Sequence, residues 1–213
     1  MPPRLDRRGF FITIEGGDGV GKTTQASLLV EWLHQHNHPD AILTREPGGS
    51  SLGEKLRAIV LEEPNVVPMA ELFLFQALRS QHLDEVIRPS LEKGKIVICD
   101  RYIDSTLAYQ GYGRGIDIEF IQKMNEFTID DAVPDLTVIL HASASVSLKR
   151  STRQQQMELR GLEFQQAVHE GFLEIAAQNP DRCQVIVVRQ DPSHTLELIV
   201  EVVRNALARR RRP

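Results

Sequence analysis

Phe10–Leu33 reads FFITIEGGDGVGKTTQASLLVEWL, and the rest of the chain can be read outward from it. Phe10–Glu15 is apolar and β-branched enough to be a strand. Gly16-Gly17-Asp18-Gly19-Val20-Gly21-Lys22-Thr23 fits the spacing G-x-x-x-x-G-K-[ST]. TTQASLLVEWL then repeats its apolar residues at helical spacing. A chain of ordinary composition matches the eight-residue pattern by accident roughly once in a hundred, and the strand–loop–helix setting is what the motif requires. Gly16, Gly19 and Gly21 permit backbone angles and close approaches that a Cβ would block. The loop N–H groups and the positive end of the helix can then face phosphate oxygens. Lys22 adds a point charge, and the Thr23 hydroxyl is placed to bind Mg²⁺. Gly16 to Thr24 is therefore the expected nucleoside triphosphate site. Sequences that would mark a GTPase switch, for base recognition and for positioning water, are missing.

Four further runs read as strands: Ala41–Arg45, Lys95–Asp100, Asp135–His141 and Gln184–Val188. They are nearly continuous in apolar residues, the pattern of strands buried on both faces of a parallel sheet. Between them lie helical spacings at Thr23–His36, Leu52–Leu61, Ala70–Glu92, Ile118–Ile129, Ser145–Arg153, Leu162–Gln178 and His194–Ala208. Alternation of this kind predicts an α/β fold, a five-stranded parallel sheet flanked by helices with right-handed crossovers. A single domain is expected over residues 10–208, between tails at 1–9 and 209–213. Gly111–Gly115 (GYGRG) and Arg153–Gly161 read as loops. In such sheets the loops beyond the carboxyl ends of the strands form the binding crevice.

The chain has 213 residues, 41% hydrophobic and 25% charged, with net charge −4, so it is an ordinary globular chain and not a disordered one. The balance argues against nucleic-acid or membrane-surface partners. Five arginines crowd the last ten residues, Arg204 and Arg209 to Arg212, and the Arg209–Arg212 run reads as a frayed, solvated tail in preference to a nucleic-acid contact. Cys99 and Cys183 read as buried thiols in a reducing compartment. No apolar run reaches the ~18–20 residues of a membrane span, and MPPRLDRRGF has no signal-type apolar core. His34, His36 and His38 alternate in a way that does not converge three imidazoles on a metal.

Three more segments bear on the acceptor: TREPGG (Thr44–Gly49), LFLFQALRSQH (Leu72–His82) and CDRYIDSTLAYQG (Cys99–Gly111). With IEGGDGVGKTTQ they resemble the thymidylate kinase family, in order and spacing, from about Phe10 to Ala177. The resemblance implies a P-loop fold of the nucleoside monophosphate kinase type. It also implies a cytoplasmic, homodimeric, Mg²⁺-dependent enzyme that phosphorylates dTMP to dTDP with ATP on the way to dTTP. It places Phe75 on the thymine ring, with Arg79, four residues on and so on the same helical face, at the base edge. Arg101 and Arg57 go to the acceptor phosphate, Asp100 and Thr23 to the metal, and Pro47 beneath the base. Thr106 and Gln110 would face the pyrimidine edge, Tyr109 the sugar. Asp18 would take the 3′-OH or help to place Mg²⁺. Core packing within LFLF is the competing reading for Phe75, and a structural pair the competing reading for Asp100–Arg101. Catalytic weight falls on Lys22, Arg101, Asp18 and a lid arginine.

The lid, about residues 150–161, departs from the family pattern. Relatives without an arginine in the phosphate loop, where this chain has Gly19, usually carry Asp-Arg-Met/Ile-Glu in the lid. Here Gln155 and Gln156 precede Met157-Glu158, and Ala167 and His169 stand where arginines are common. Arg153 is then the expected lid arginine, with Arg160 as a substitute, and Arg150 is expected to flank the adenine. A nucleotide-binding protein with impaired catalysis, and a kinase for another pyrimidine nucleotide or deoxynucleoside, remain as alternatives.

Overall fold

The computed structural model describes residues 9–63, 65–142 and 161–210. In chain order it contains β1 (Phe10–Glu15), α1 (Lys22–Gln35), β2 (Ile42–Arg45), α2 (Ser51–Glu62) and α3 (Pro68–His82). A widened helical turn, Leu83–Ile87, leads into α4 (Arg88–Glu92). There follow β3 (Ile96–Asp100), α5 (Ile103–Thr106) with a second widened turn at Leu107–Gly113, and α6 (Ile118–Ile129). The remainder is β4 (Leu136–His141), α7 (Leu162–Gln178), β5 (Cys183–Val187) and α8 (Pro192–Arg210). All five strands are parallel, in the order β2-β3-β1-β4-β5.

The alternating faces of β1 sort the core. Phe10, Ile12 and Ile14 pack with Ile96, Ile98, Leu136 and Val138 against α1 and α8. Phe11 points the other way, with Val97, Cys99 and Tyr102. β1 and β3 are buried throughout, as continuous apolar runs require, whereas the edge strands β2 and β5 are partly exposed. The chain leaves β1 through α1 for the edge strand β2 on one side, and the connection after β3 crosses over β1 to β4 on the other. The carboxyl ends of β1 and β3 therefore open onto one crevice at a switch point of the sheet.

Strand bounds differ from the sequence expectation by one residue at most. The expected helix Ala70–Glu92 is instead α3 and α4 joined by the widened turn at Leu83–Ile87. Pro89 explains the interruption, since it has no N–H for the carbonyl one turn back. The expected loop at Gly111–Gly115 is a correction. Residues 103–113 are helical, and Gly111 and Gly113 serve close packing, whereas Gly115, past the helix at φ 74°, turns in open space as a loop glycine does. A Cβ on Gly111 would meet Ile118 Cδ1 at 2.4 Å, and one on Gly113 would meet Phe164 Cε2 at 2.5 Å. The tail too starts later than expected. α8 runs through Arg209 and Arg210, and Arg210 donates to the Gly9 carbonyl and lies 3.9 Å from Asp135 Oδ2. Cys99 and Cys183 are free and buried. His34 and His36 turn to separate backbone carbonyls, of Ala41 and Trp32. The expected helix Ser145–Arg153 and the lid residues Arg150, Arg153, Gln155, Gln156 and Arg160 lie outside the described residues.

Candidate active site

The loop between β1 and α1 is shaped by three glycines at positive φ, Gly16, Gly19 (φ 76°) and Gly21. Gly16 turns at φ 134° so close to β4 that a Cβ would stand 2.4 Å from the Leu140 carbonyl oxygen. Gly21 is left-handed (φ 95°) and caps α1, whose first turn has no side-chain cap and no acidic residue. Its N–H groups and positive end are thus left to an anion. Val20 is buried in the core and pins the loop. Lys22 Nζ donates to the Gly17 carbonyl at 2.6 Å. Burial, and next the Arg101 charge, lower its pKa from the usual 10.5 to about 8, against the pull of Asp18, Asp100 and Glu15.

Thr23 Oγ1 donates to Asp100 Oδ2 at 2.6 Å, joining the start of α1 to the end of β3. The other carboxylate oxygen, Asp100 Oδ1, is buried with no hydrogen-bond partner among the described residues. A buried anionic oxygen without a partner is costly. With the threonine hydroxyl beside it, it makes a hard oxygen pair suited to Mg²⁺. The residues present fit the metal.

Across from the loop, Arg101 follows β3 with φ 71°, a left-handed conformation that costs a residue with a Cβ roughly 1–2 kcal/mol. Its guanidinium bonds and pairs with Asp18 Oδ1, inside the phosphate loop, and lies 4.9 Å from the Tyr109 ring centroid. Tyr109 donates to the same Asp18 oxygen at 2.8 Å. Asp18 is therefore engaged, not merely tolerated. Burial raises its pKa, but the charges of Arg101 and Lys22 and the two hydrogen bonds outweigh it and hold the carboxyl far below its usual range. The acid in the loop offsets part of the repulsion between the half-buried Arg101 and Lys22.

Glu71, Phe75 and Arg79 share a face of α3 at spacings of four. Arg79 is 1% exposed. Its Nε donates to Glu46 Oε2 (2.9 Å), Nη1 to Asn125 (3.2 Å), and Nη2 to the Tyr102 carbonyl (3.1 Å) and Thr106 Oγ1 (2.9 Å). A guanidinium has five N–H donors, so a single Nη1 hydrogen is left over. Glu46 is held in turn by His82, and His82 by Thr44, at 3.1 and 2.6 Å. Gln110 is likewise committed, its amide donating to Glu71 at 2.9 Å, while Arg114 reaches Glu71 at 3.3 Å. Arg57 donates to the Pro47 carbonyl at 2.5 Å. Within LFLF only Leu72 is core, Phe73 is 52% exposed and Phe75 is half-buried. Packing does not account for Phe75. Thr24 is exposed on the first turn of α1. His169 packs on His141, ring centroids 4.4 Å apart, and burial followed by that neighbour lowers its pKa, so it brings no cation at neutral pH.

The sequence pattern had not marked Glu15, Glu46, Glu71, His82 or Asn125. All are buried polar groups that hold a site residue or its neighbour. A charged residue closing an otherwise apolar strand is a signal that could have found Glu15; the other four carry none.

A phosphate-gripping loop with a second cationic group, Arg101, drawn up against it across a shared crevice defines a P-loop phosphotransferase of the nucleoside monophosphate kinase type. The family model described as thymidylate kinase matches residues 14–199. The chain belongs to the thymidylate kinase family. Among curated relatives it is 44% identical over 193 residues to the thymidylate kinase of Synechococcus sp. (strain JA-2-3B'a(2-13)), covering 91% of this chain and 93% of that one. It is 42% identical over 197 residues to that of Wolbachia pipientis subsp. Culex pipiens, covering 91% and 95%. Among solved structures, the thymidylate kinase from Ehrlichia chaffeensis aligns with TM-score 0.78 at 40% identity, over 92% of this chain and 98% of that one.

Proposed function

We propose that the protein transfers the γ-phosphoryl group of ATP to dTMP, giving dTDP and ADP, with the donor on the Gly16–Thr24 loop and the acceptor between Phe75 and Arg101. The contact of Arg101 with Asp18 carries the reading, because it puts an acceptor-side cation in touch with the donor loop. Phosphoryl transfer of this kind asks for alignment and charge neutralisation more than for covalent help. An oxygen of the dTMP phosphate attacks the γ-phosphorus, the bond to the β,γ-bridging oxygen breaks, and ADP leaves. The attacking phosphate is already anionic at neutral pH, so no side chain need act as a base.

Lys22 and the α1 N-terminus hold the donor phosphates. Arg101 and Arg57 hold the acceptor phosphate. Thr23 and Asp100 would hold Mg²⁺, which when bound neutralises charge on the β- and γ-oxygens. Phe75 stacks on thymine, a contact of about 1–3 kcal/mol, above the wall made by Pro47. The remaining Nη1 hydrogen of Arg79, the Thr106 hydroxyl and the free Gln110 oxygen read the base edge. Tyr109 and Asp18 flank the sugar, where the ring leaves little room for a ribose 2′-hydroxyl. The family resemblance assigns Arg150 to the adenine and Arg153 to the transferring phosphate; both lie outside the described residues.

A coupled assay for ADP should report steady turnover with dTMP and ATP·Mg²⁺, less with dUMP, and little with CMP or thymidine. A preference for CMP or thymidine would overturn the substrate reading. Thermal stabilisation by dTMP with no ADP formed would instead mark a protein that binds without catalysing.

The homodimer expected of the family has a surface to use. Phe127 is 92% exposed on α6 and Phe73 52% exposed on α3, and α3 packs against α6. Exposed aromatics on neighbouring helices are characteristic of an interface. Sedimentation should report a dimer that Phe73→Asp/Phe127→Asp converts to a folded monomer; a wild-type monomer would overturn this. A cytoplasmic location belongs to the same proposal; no helix among the described residues is long and apolar enough to cross a membrane.

A further inference from the structure

Glu15 immediately precedes the phosphate loop and is fully buried, yet its side chain does not turn toward that loop. One carboxylate oxygen accepts from the Tyr102 amide at 2.7 Å and the other from Ser105 Oγ at 2.5 Å. The register explains what these contacts do. Ile14 pairs with Asp100, and the Arg101 amide still donates to the Ile14 carbonyl at 3.1 Å. One residue further on, β1 has peeled away into the loop, and no backbone carbonyl of β1 meets the Tyr102 amide. The Glu15 carboxylate takes that place. It also serves the entry to α5, where Tyr102 is the capping residue and makes no side-chain cap of its own.

We propose that Glu15 is a positioning residue for the acceptor side: by extending the β1–β3 ladder with a side-chain acceptor, it fixes the left-handed turn at Arg101 and the start of α5 against the phosphate loop.

The neighbourhood leaves Glu15 free for this task. Asp104, the buried acid that acts most on Glu15, is already gripped by both Nη atoms of Arg182, at 2.7 and 2.8 Å, and by Thr137 at 3.3 Å, with Thr13 behind it. Burial followed by Asp104 raises the Glu15 pKa to about 7, while Ser105, Arg101 and the Tyr102 amide lower it. Lys22 and Arg182 are also within its field. Ser105 in turn accepts weakly from Arg101 Nη1 at 3.4 Å, so the carboxylate acts on Arg101 from two sides. Thr106, Tyr109 and Gln110 follow on the same helical run, and a shift at its start moves all three.

The inference rests on the assignment of Arg101 to the acceptor phosphate, and Arg101→Ala serves as the control for that. In full-length protein, Glu15→Ala should lower kcat/KM for dTMP about 10²-fold, as displacement of about an ångström does, with KM for ATP within about twofold. Glu15→Gln keeps an acceptor for the Tyr102 amide and can donate to Ser105, and should stay within about fivefold of wild type. Ser105→Ala, which removes one contact and little volume, should raise KM for dTMP about tenfold and leave ATP alone. It carries the test if Glu15→Ala does not fold. Wild-type dTMP kinetics in both Glu15→Ala and Ser105→Ala, an equal rise in both KM values, or a Gln variant as damaged as the Ala variant would overturn the proposal. Wild-type kinetics in Arg101→Ala would overturn the Arg101 assignment along with it. A damaged Arg101→Ala beside an intact Glu15→Ala would overturn the role of Glu15 alone.

Discussion

Arg101→Ala is expected to lower kcat/KM for dTMP by about 10³-fold or more, the scale seen when an arginine that meets transferring phosphate is removed. The structure makes the residue hard to replace from elsewhere. Its guanidinium is held by Asp18, supported over the Tyr109 ring and aimed by a left-handed backbone turn. Although burial lowers its pKa, Tyr109, Asp18 and Asp100 raise it further, so it stays charged at every working pH. Lysine is a poor substitute. An ammonium is a point charge and loses the planar fork that can serve Asp18 and a phosphate together, so Arg101→Lys should recover only part of the loss. At pH 7, where Lys22 is charged with or without Arg101, binding of a non-hydrolysable ATP analogue should change by no more than about threefold, because the donor phosphates still meet Lys22 and the α1 N-terminus. A coupled ADP assay across dTMP concentrations checks the first number. A fall of less than tenfold would remove Arg101 from the reaction.

Such specific expectations can be drawn because the donor side was legible in the sequence. The glycine and lysine spacing after β1 has one common structural solution, and Gly16 and Gly21 adopt the conformations that spacing implies. The sheet was legible for a similar reason, since strands buried on both faces leave long apolar runs. The acceptor side was less so. Glycines at 111 and 113 signal a loop to a local reading, but they exist to let Ile118 and Phe164 approach a helical turn, a distant contact that periodicity cannot detect. The proposed place of Arg79 at the base edge comes only from family resemblance. That most of its donors are spent on Glu46, Asn125, Tyr102 and Thr106 depends on three other segments converging on α3. Buried polar groups leave no periodic trace. A glutamate in REPGG looks like any solvated loop acid until His82 and Arg79 are found on either side of it.

Lys22→Met should lower kcat/KM for ATP by about 10³-fold, and the more informative experiment lies in how wild type and variant respond to pH. Burial and the adjacent Arg101 bring Lys22 down to about 8 in the ligand-free protein. Between that value and the usual 10.5 the unfolded chain binds more protons than the folded one, so through Lys22 folding stability rises as pH climbs across this window. Triphosphate binding runs in the opposite direction. The anion requires the ammonium form, so affinity should be flat below about pH 8 and fall above it, by up to tenfold per pH unit. Each binding event there should take up a proton from buffer. Titrating a non-hydrolysable ATP analogue at pH 7.5, 8.5 and 9.5 separates the two effects, because the methionine variant should bind weakly and with little pH dependence throughout. Parallel pH profiles for the two proteins would mean that the lysine charge is not what the donor phosphates meet. Removing Arg101 provides an internal check: without that neighbouring charge the Lys22 ammonium is easier to keep, and the break in the affinity profile should move to higher pH.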